Sequence, residues 1–167
     1  MPASMRVSLP LQPQAYGKRV AIVTSRYHDA VTGRLADGAV RAFLAAGGRE
    51  EDVIRADAPG SFELPVIAAA YARRPDVDAV VILGLVLQGE TTHDRYICDS
   101  VAQAIQDLSL ETGTPVAFGL LTCQTMEQAE ARSGGSHGNK GEEAMNAALL
   151  AATAVEAARR VPRGGVR

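Results

Sequence analysis

Val80-Val81-Ile82-Leu83, running on to Leu87, is the most apolar stretch of the chain, and its reading decides the fold. A continuous, β-branched run of this length suits a strand buried on both faces, as in a parallel sheet covered by helices on each side. Immediately after it come Gln88-Gly89-Glu90-Thr91-Thr92-His93, then Ile97, Val101, Ala104 and Leu108 at helical spacing up to Gly113. Strand, polar turn and helix thus follow one another directly.

The same alternation extends outward in both directions. Upstream, Val20-Ala21-Ile22-Val23 forms a compact strand. Val31, Leu35, Ala39, Ala42 and Phe43 mark a helix that Gly47-Gly48 stops. Val53 to Ala58 is a weaker strand, and Phe62 to Ala72 a helix that tolerates Pro65 only in its first turn. Downstream, Pro115 to Leu121 makes a fourth strand. Thr125 and Gln128 form a capping box, Gly134 to Gly138 a loop, and Lys140 to Arg159 an Ala-rich helix with Ala144, Ala148, Ala152 and Val155 on one stripe. The pattern predicts an α/β chain of one doubly wound domain, residues 1–167, with a four-stranded parallel sheet and helices on both faces. Residues 1–17 form an N-terminal arm, and Val161 to Arg167 a disordered tail.

Composition narrows the function. Hydrophobic residues are 47% and charged residues 22%, with a formal net charge of −2 and scattered Lys and Arg. That excludes an electrostatic footprint for nucleic acid or an anionic membrane and points to a small partner. Cys98 and Cys123 stand far apart without metal-ligand spacing, which suits a reducing compartment and argues against a zinc site. No signal peptide or membrane-spanning run is present, so cytoplasmic residence is expected.

Doubly wound sheets bind ligands beyond the carboxyl ends of their strands, which singles out Ser25 to Asp29, Pro59 to Glu63, Gln88 to His93 and Thr122 to Thr125. Gly89-Glu90-Thr91-Thr92-His93 suits an anion at a helix start, or equally an ordinary turn with Thr as N-cap. His93 is able to relay a proton, although a lone surface histidine is more often inert. Gly134 to Gly141 lacks the spacing and the Ser or Thr of a nucleotide phosphate loop. Arg132 and Lys140 flank that segment, either as solvated surface or as a phosphate clamp. Tyr27 and Phe118, both placed at or near a strand's carboxyl end, can sandwich a flat heterocycle, with core packing the plainer role for Phe118. Glu63 can accept hydrogen bonds from a polyol or complement a helix dipole.

From about Lys18 to Ala158 these motifs together resemble the 6,7-dimethyl-8-ribityllumazine synthase family. Ala58-Pro59-Gly60-Ser61-Phe62-Glu63-Leu64-Pro65 is similar to its PG-(A/S)-FE-(I/L)-P segment, and Gly84 to His93 to its G-x-V-I-R-G-x-T-x-H segment. Gly119 to Thr122, Glu127-Gln128-Ala129 with Arg132, and Asn139-Lys140-Gly141 follow in register. The resemblance implies a flavodoxin-like fold and a metal-free, cofactor-free condensation in riboflavin biosynthesis. In it a ribitylamino-pyrimidine amine attacks a keto-phosphate, phosphate and water leave, and the lumazine ring closes. It further implies that Tyr27 stacks on the pyrimidine, that Ser61, Phe62, Val86, Leu87 and Gln88 line its pocket, and that Glu63 holds the ribityl chain. Gly89, Glu90, Thr91 and Thr92 cradle the phosphate and His93 shuttles protons. Phe118, Arg132 and Lys140 reach in from a neighbouring subunit, Arg132 gripping the phosphate. The implied partners are the two substrates, further copies of the chain as a homopentamer or pentamer-based assembly, and riboflavin synthase.

Three positions depart from the pattern. Gln88 replaces the usual Arg, His28 replaces the usual Asn, and Asp94-Arg95-Tyr96 displaces the acidic residue by one position. They leave open a paralogue that binds lumazine or riboflavin with weak or no turnover, and a mainly structural shell protein. For a shell the cues conflict. The Arg132–Lys140 stretch carries no insertion, while Pro10 and Pro13 disfavour strand addition by the arm.

Overall fold

The protein was analysed as a computed structural model that describes residues 8–160. The expected disordered tail from Val161 to Arg167 lies outside the described residues, as do the first seven residues of the arm.

The central sheet is parallel, with strands β1 (Val20–Ser25), β2 (Val53–Ala58), β3 (Ala79–Leu87) and β4 (Val116–Cys123) in the order β2-β1-β3-β4. The long apolar run is indeed central. Ala79 to Val86 are all buried, because β3 is paired on both edges and covered on both faces. The strand period of two divides its side chains between two cores. Val81, Leu83 and Leu85 join Val20 and Ile22 beneath helices α1 (Asp29–Ala45) and α5 (Lys140–Arg160). Val80 and Ile82 join Ala21 and Val23 beneath α2 (Leu64–Ala72) and α3 (His93–Thr112). Fully burying a Val, Leu or Ile side chain is worth roughly 1.5–3 kcal/mol, so a one-residue register slip, which would exchange the two faces, is strongly disfavoured.

The helix boundaries follow from local chemistry. The α1 helix ends where Gly47 takes a φ of 89° and the amide of Gly48 donates to the Phe43 carbonyl at 3.0 Å. The α2 helix starts at Leu64, two residues later than expected. Glu63 therefore stands at the N-cap rather than inside the helix, and Pro65 occupies the first turn, where its missing N–H costs nothing. At α4 (Met126–Ala131), Thr125 Oγ1 accepts from the Gln128 amide at 3.3 Å as expected. The returning bond differs by one residue, because Gln128 Oε1 accepts from Gln124 N–H at 2.9 Å.

The segment from Gly134 to Gly138, expected to be a loop, belongs instead to a small antiparallel hairpin of β5 (Ser133–Gly135) and β6 (Gly138–Asn139). It is latched to α1: Arg34 Nε donates to Ser133 Oγ at 3.1 Å, and Asn139 Nδ2 donates to the Arg34 carbonyl at 2.9 Å. Phe118 also departs from expectation. It sits opposite Ile82, in the first half of β4 rather than near its carboxyl end, and at 39% exposure it is not a core side chain. In the arm, residues 8–19 form no strand, and Ala15 anchors it by donating its amide to the Ala46 carbonyl. No helix among the described residues is long and apolar enough to cross a membrane.

Candidate active site

The strand order reverses between β1 and β3, and there, beyond their carboxyl ends, a crevice of about 560 Å³ opens. Three chain segments build it. The turn after β1 supplies Tyr27 and His28, and is tied to the end of β2 by Arg26 N–H donating to the Ala58 carbonyl at 2.8 Å. The turn after β2 supplies Gly60, Ser61, Phe62 and Glu63. The end of β3 and the start of α3 supply Leu85, Val86, Leu87, Gln88, Gly89, Thr91, His93, Asp94 and Ile97.

Each side chain has a local reason for its place. Tyr27 and Phe62 are 69% and 62% exposed, large apolar groups held at the crevice mouth rather than in a core. Ser61 is buried against Gly84, where an added Cβ would meet Leu120 Cδ1 at 2.7 Å and Ser61 Oγ at 2.9 Å, so the crevice floor has no room for a larger residue. The Glu63 carboxylate folds back over Gly60, at whose Cβ position Oε2 would stand 3.0 Å away. Gln88 is fixed through its backbone, its amide donating to the Cys123 carbonyl at 2.8 Å. His93 opens α3 after the N-cap Thr92, and its amide donates to Thr91 Oγ1 at 3.4 Å. Gly89 makes its turn without a left-handed backbone. It is not among the positive-φ glycines, and an added Cβ would touch nothing within 4 Å.

Of the residues singled out from the sequence, Tyr27, Ser61, Phe62, Glu63, Val86, Leu87, Gln88, Gly89, Thr91 and His93 converge on this crevice. Glu90 and Thr92 flank it without lining it. Phe118, Arg132 and Lys140 are not brought there by their own chain. Arg132 caps the end of α4, donating Nη1–H to the Gln128 carbonyl at 3.1 Å, and Lys140 pairs with Glu143 at 2.9 Å. The sequence reading missed Asp94 and Ile97 as lining residues. Their signal was the helical spacing of 93, 94 and 97, which puts them on one side of α3.

The crevice is also defined by charge. Its lining contains two carboxylates, Glu63 and Asp94, two imidazoles, His28 and His93, and neither Lys nor Arg. Among the described residues no three His, Cys, Asp or Glu side chains gather as a metal-ligand set. A larger cavity, about 710 Å³, lies at the opposite end of the sheet, lined by the C-terminal turns of α2, α3 and α5. Its cations are already committed. Lys18 pairs with Glu156, Arg73 with Glu111, Arg74 with Asp76, and Arg159 donates to the Gly113 carbonyl. They serve helix ends and elements on either side of that cavity, so we place the chemistry in the smaller crevice.

Comparison with known proteins bears on what that crevice does. A family model described as 6,7-dimethyl-8-ribityllumazine synthase matches residues 17–156. The chain is 45% identical over 143 residues to the 6,7-dimethyl-8-ribityllumazine synthase of Thermus thermophilus, covering 86% of this chain and 91% of that one. It is 44% identical over 135 residues to the enzyme of that name from Aquifex aeolicus (81% and 88% covered), and 48% identical over 136 residues to that of Streptomyces coelicolor (80% and 83%).

Proposed function

The chain belongs to the 6,7-dimethyl-8-ribityllumazine synthase family, and from that premise we propose how its crevice performs the condensation. It is a transferase of riboflavin biosynthesis, joining a ribitylamino-pyrimidine to a four-carbon keto-phosphate to give the lumazine, with loss of phosphate and water. The observation that carries the assignment of the site is the convergence of Tyr27, Ser61 to Glu63 and Gln88 to His93 at the switch point of the sheet.

In this reading Tyr27 stacks on the flat pyrimidine, the Ser61–Phe62 turn and Val86 to Gln88 shape its slot, and Glu63 accepts hydrogen bonds from ribityl hydroxyls. The keto-phosphate lies along Gly89 to Thr92, at the amino end of α3, where free amides and the helix dipole favour an anion. The pyrimidine amine attacks the ketone carbonyl and water leaves as the imine forms. Loss of a proton and of phosphate then leaves an enol at the neighbouring hydroxyl-bearing carbon, which tautomerises to a new carbonyl, and the ribityl-bearing nitrogen closes the ring on that carbonyl with loss of a second water. His93, at the start of α3, carries the protons, worth roughly 10²–10⁴-fold in rate. Holding the two substrates together contributes more, up to roughly 7–11 kcal/mol of the barrier.

A phosphate dianion gains most from a bidentate guanidinium, and no cation of the same chain lines the crevice. Arg132 lies past the carboxyl end of β4, the edge strand, close enough to Cys123 for its charge to be felt by that thiol. We therefore assign Arg132, with Phe118 and Lys140, to the crevice of a neighbouring copy in a ring of identical chains, with five as the number the family resemblance suggests. Riboflavin synthase, which would consume the lumazine, is the partner this role implies, and the cytoplasm is the compartment we assign.

The test is direct. Purified protein with both substrates and no added metal, nucleotide or flavin should yield lumazine absorbance and stoichiometric phosphate. A folded protein that binds but makes no product would overturn the reading. For the shared site, His93→Ala and Arg132→Ala, each inactive alone, should recover about a quarter of wild-type activity after unfolding, equal mixing and reassembly, since random order around a ring pairs two intact residues at that frequency. Mixed rings without recovery would mean that each crevice is built within one chain.

A further inference from the structure

Among the described residues His28 is the one non-glycine residue with positive φ, at φ 62° and ψ 46°. A β-carbon is disfavoured in that left-handed region, which histidine tolerates better than most residues but less well than glycine. A helix start does not require it. The N-caps of α2, α3 and α4, Glu63, Thr92 and Thr125, all have negative φ. The surroundings of His28 nonetheless fix the conformation. Its carbonyl accepts from the amides of Val31 at 2.9 Å and Thr32 at 3.1 Å, and from Thr32 Oγ1 at 3.3 Å. The same buried hydroxyl is held at 2.7 Å on the Ser25 carbonyl. An over-determined backbone outlier inside a ligand crevice is a reason to look for what it positions.

It positions Tyr27. Consecutive side chains of an extended segment point to opposite sides. The left-handed turn at His28 instead sets the two rings edge to face, with centroids 4.8 Å apart and planes at 76°. This is the one aromatic pair among the described residues. Tyr27 is mostly exposed, so a ring free to rotate would lose that freedom each time it stacked on a ligand. The T-shaped contact with the imidazole restrains it beforehand.

We propose that His28 is a positioning residue for pyrimidine binding, acting through the ring of Tyr27 and not on the reacting atoms. The inference rests on the preceding assignment of Tyr27 as the stacking partner. It gives the chain a determinant of pyrimidine affinity at a position where the resembled family usually carries Asn.

The experiment compares Tyr27→Ala, His28→Gly, His28→Asn and His28→Phe in the assembled protein, measuring KM for each substrate, kcat and Tm. His28→Gly and His28→Asn should raise the pyrimidine KM by about two- to tenfold, the factor an edge-to-face pair is worth, and leave the keto-phosphate KM within about twofold. Their Tm should not fall, because both residues accept the left-handed backbone more readily. His28→Phe, which keeps a ring edge and loses both nitrogens, should hold the pyrimidine KM within about twofold of wild type. Pyrimidine KM values unchanged in His28→Gly and His28→Asn would reduce His28 to a helix-start residue and overturn the proposal. So would a loss in His28→Phe equal to that in His28→Gly, since the nitrogens would then be touching ligand directly. If Tyr27→Ala itself leaves the pyrimidine KM unmoved, the stacking assignment fails, and that result is read independently of the His28 variants.

Discussion

Gly141→Ala tests the packing that supports the site, because two opposed effects meet there and geometry decides the sign. In an exposed helix, replacing Gly by Ala stabilises by roughly 1 kcal/mol, through backbone entropy. Gly141, however, is buried in the first turn of α5, where α5 crosses α1. A Cβ built on it would overlap the Leu35 carbonyl oxygen and stand 2.6 Å from the Leu35 carbonyl carbon and 2.9 Å from its Cα, closer than the 3.0 Å that real Cβ atoms keep. These are backbone atoms inside a helix, so no rotamer change relieves the contact. The two helices would have to part by about 1 Å, and a close-packed interior transmits that strain. Leu35, Ala39, Met145, Ala148 and Leu149, all buried in the core shared by α1 and α5, would lose contacts together. Overpacking of this kind costs about 1–3 kcal/mol and occasionally more, and here the displaced group is main chain. The Asn139 side chain compounds it: its Oδ1 accepts from the amides of Gly141 at 2.9 Å and Glu142 at 3.2 Å, and its Nδ2 reaches α1. Taking the upper end of that range, about 3 kcal/mol, against the roughly 1 kcal/mol gained by the backbone, we expect a net loss of about 2 kcal/mol in urea unfolding and a Tm lower by roughly 4–8 °C for a chain of this size, at fixed protein concentration. A Gly141→Ala protein as stable as wild type, or more so, would refute the reasoning.

Four further outcomes are expected. His93→Asn should lower kcat by about a hundredfold or more while moving either KM little, as steady-state assays will read, because it removes a proton carrier and not a binding contact. Gln88→Arg should lower the keto-phosphate KM by roughly tenfold at low ionic strength, an advantage that fades in high salt, since the crevice lining has no cation of its own. Lys18, donating to Glu156 at 3.0 Å, and secondarily its charge hold that carboxyl below a glutamate's ordinary 4.5. A depressed carboxylate stabilises above its unfolded pKa and loses that contribution as pH falls through the folded value, so Glu156→Gln should lower the urea midpoint at about pH 7, and the difference from wild type should shrink as the pH is taken down through the carboxylate range. Mass spectrometry after brief alkylation should find Cys98 modified ahead of Cys123, whose thiol is pushed up by burial.

What the sequence revealed and what it hid divide along a physical line. The continuous β-branched runs of Val20 to Val23 and Val80 to Leu87, and the 3.6 period of Val31 to Phe43, are local information, and those elements lie where they put them. The carboxyl-end rule then gathers Tyr27, Ser61 to Glu63 and Gln88 to His93, because each follows a strand directly. The hairpin of β5 and β6 was not legible, because it depends on partners far off in sequence, such as Arg34, and on glycines at φ 113° and 74°. Phe118 is a matter of strand length: the sequence ends the fourth strand at Leu121, whereas β4 runs on to Cys123 in register with Leu87 of β3, which leaves Phe118 further from its carboxyl end.

The charge of the crevice connects these two kinds of information. A single chain offers the phosphate a helix amino end beside Glu63 and Asp94, an arrangement that by itself disfavours a dianion. The cation we propose for it, Arg132, resides on the turn after α4, beyond the edge strand β4 and away from the crevice between β1 and β3. Within one protomer Arg132 does not line the crevice, and its Nη1–H is donated to the Gln128 carbonyl. Between protomers a heterologous contact along the β4 edge would bring them together, and repetition of that contact closes a ring. Gly89 fits the same picture. Nothing in its own chain needs a glycine there, since its φ is not positive and a Cβ would touch nothing, so any reason for it has to come from what approaches from outside, whether a phosphate or a neighbouring protomer. On the proposal that Arg132 serves a neighbour's crevice, association completes the electrostatics of the site as well as its shape, and a separated protomer is expected to be inactive for want of the counter-charge to one substrate.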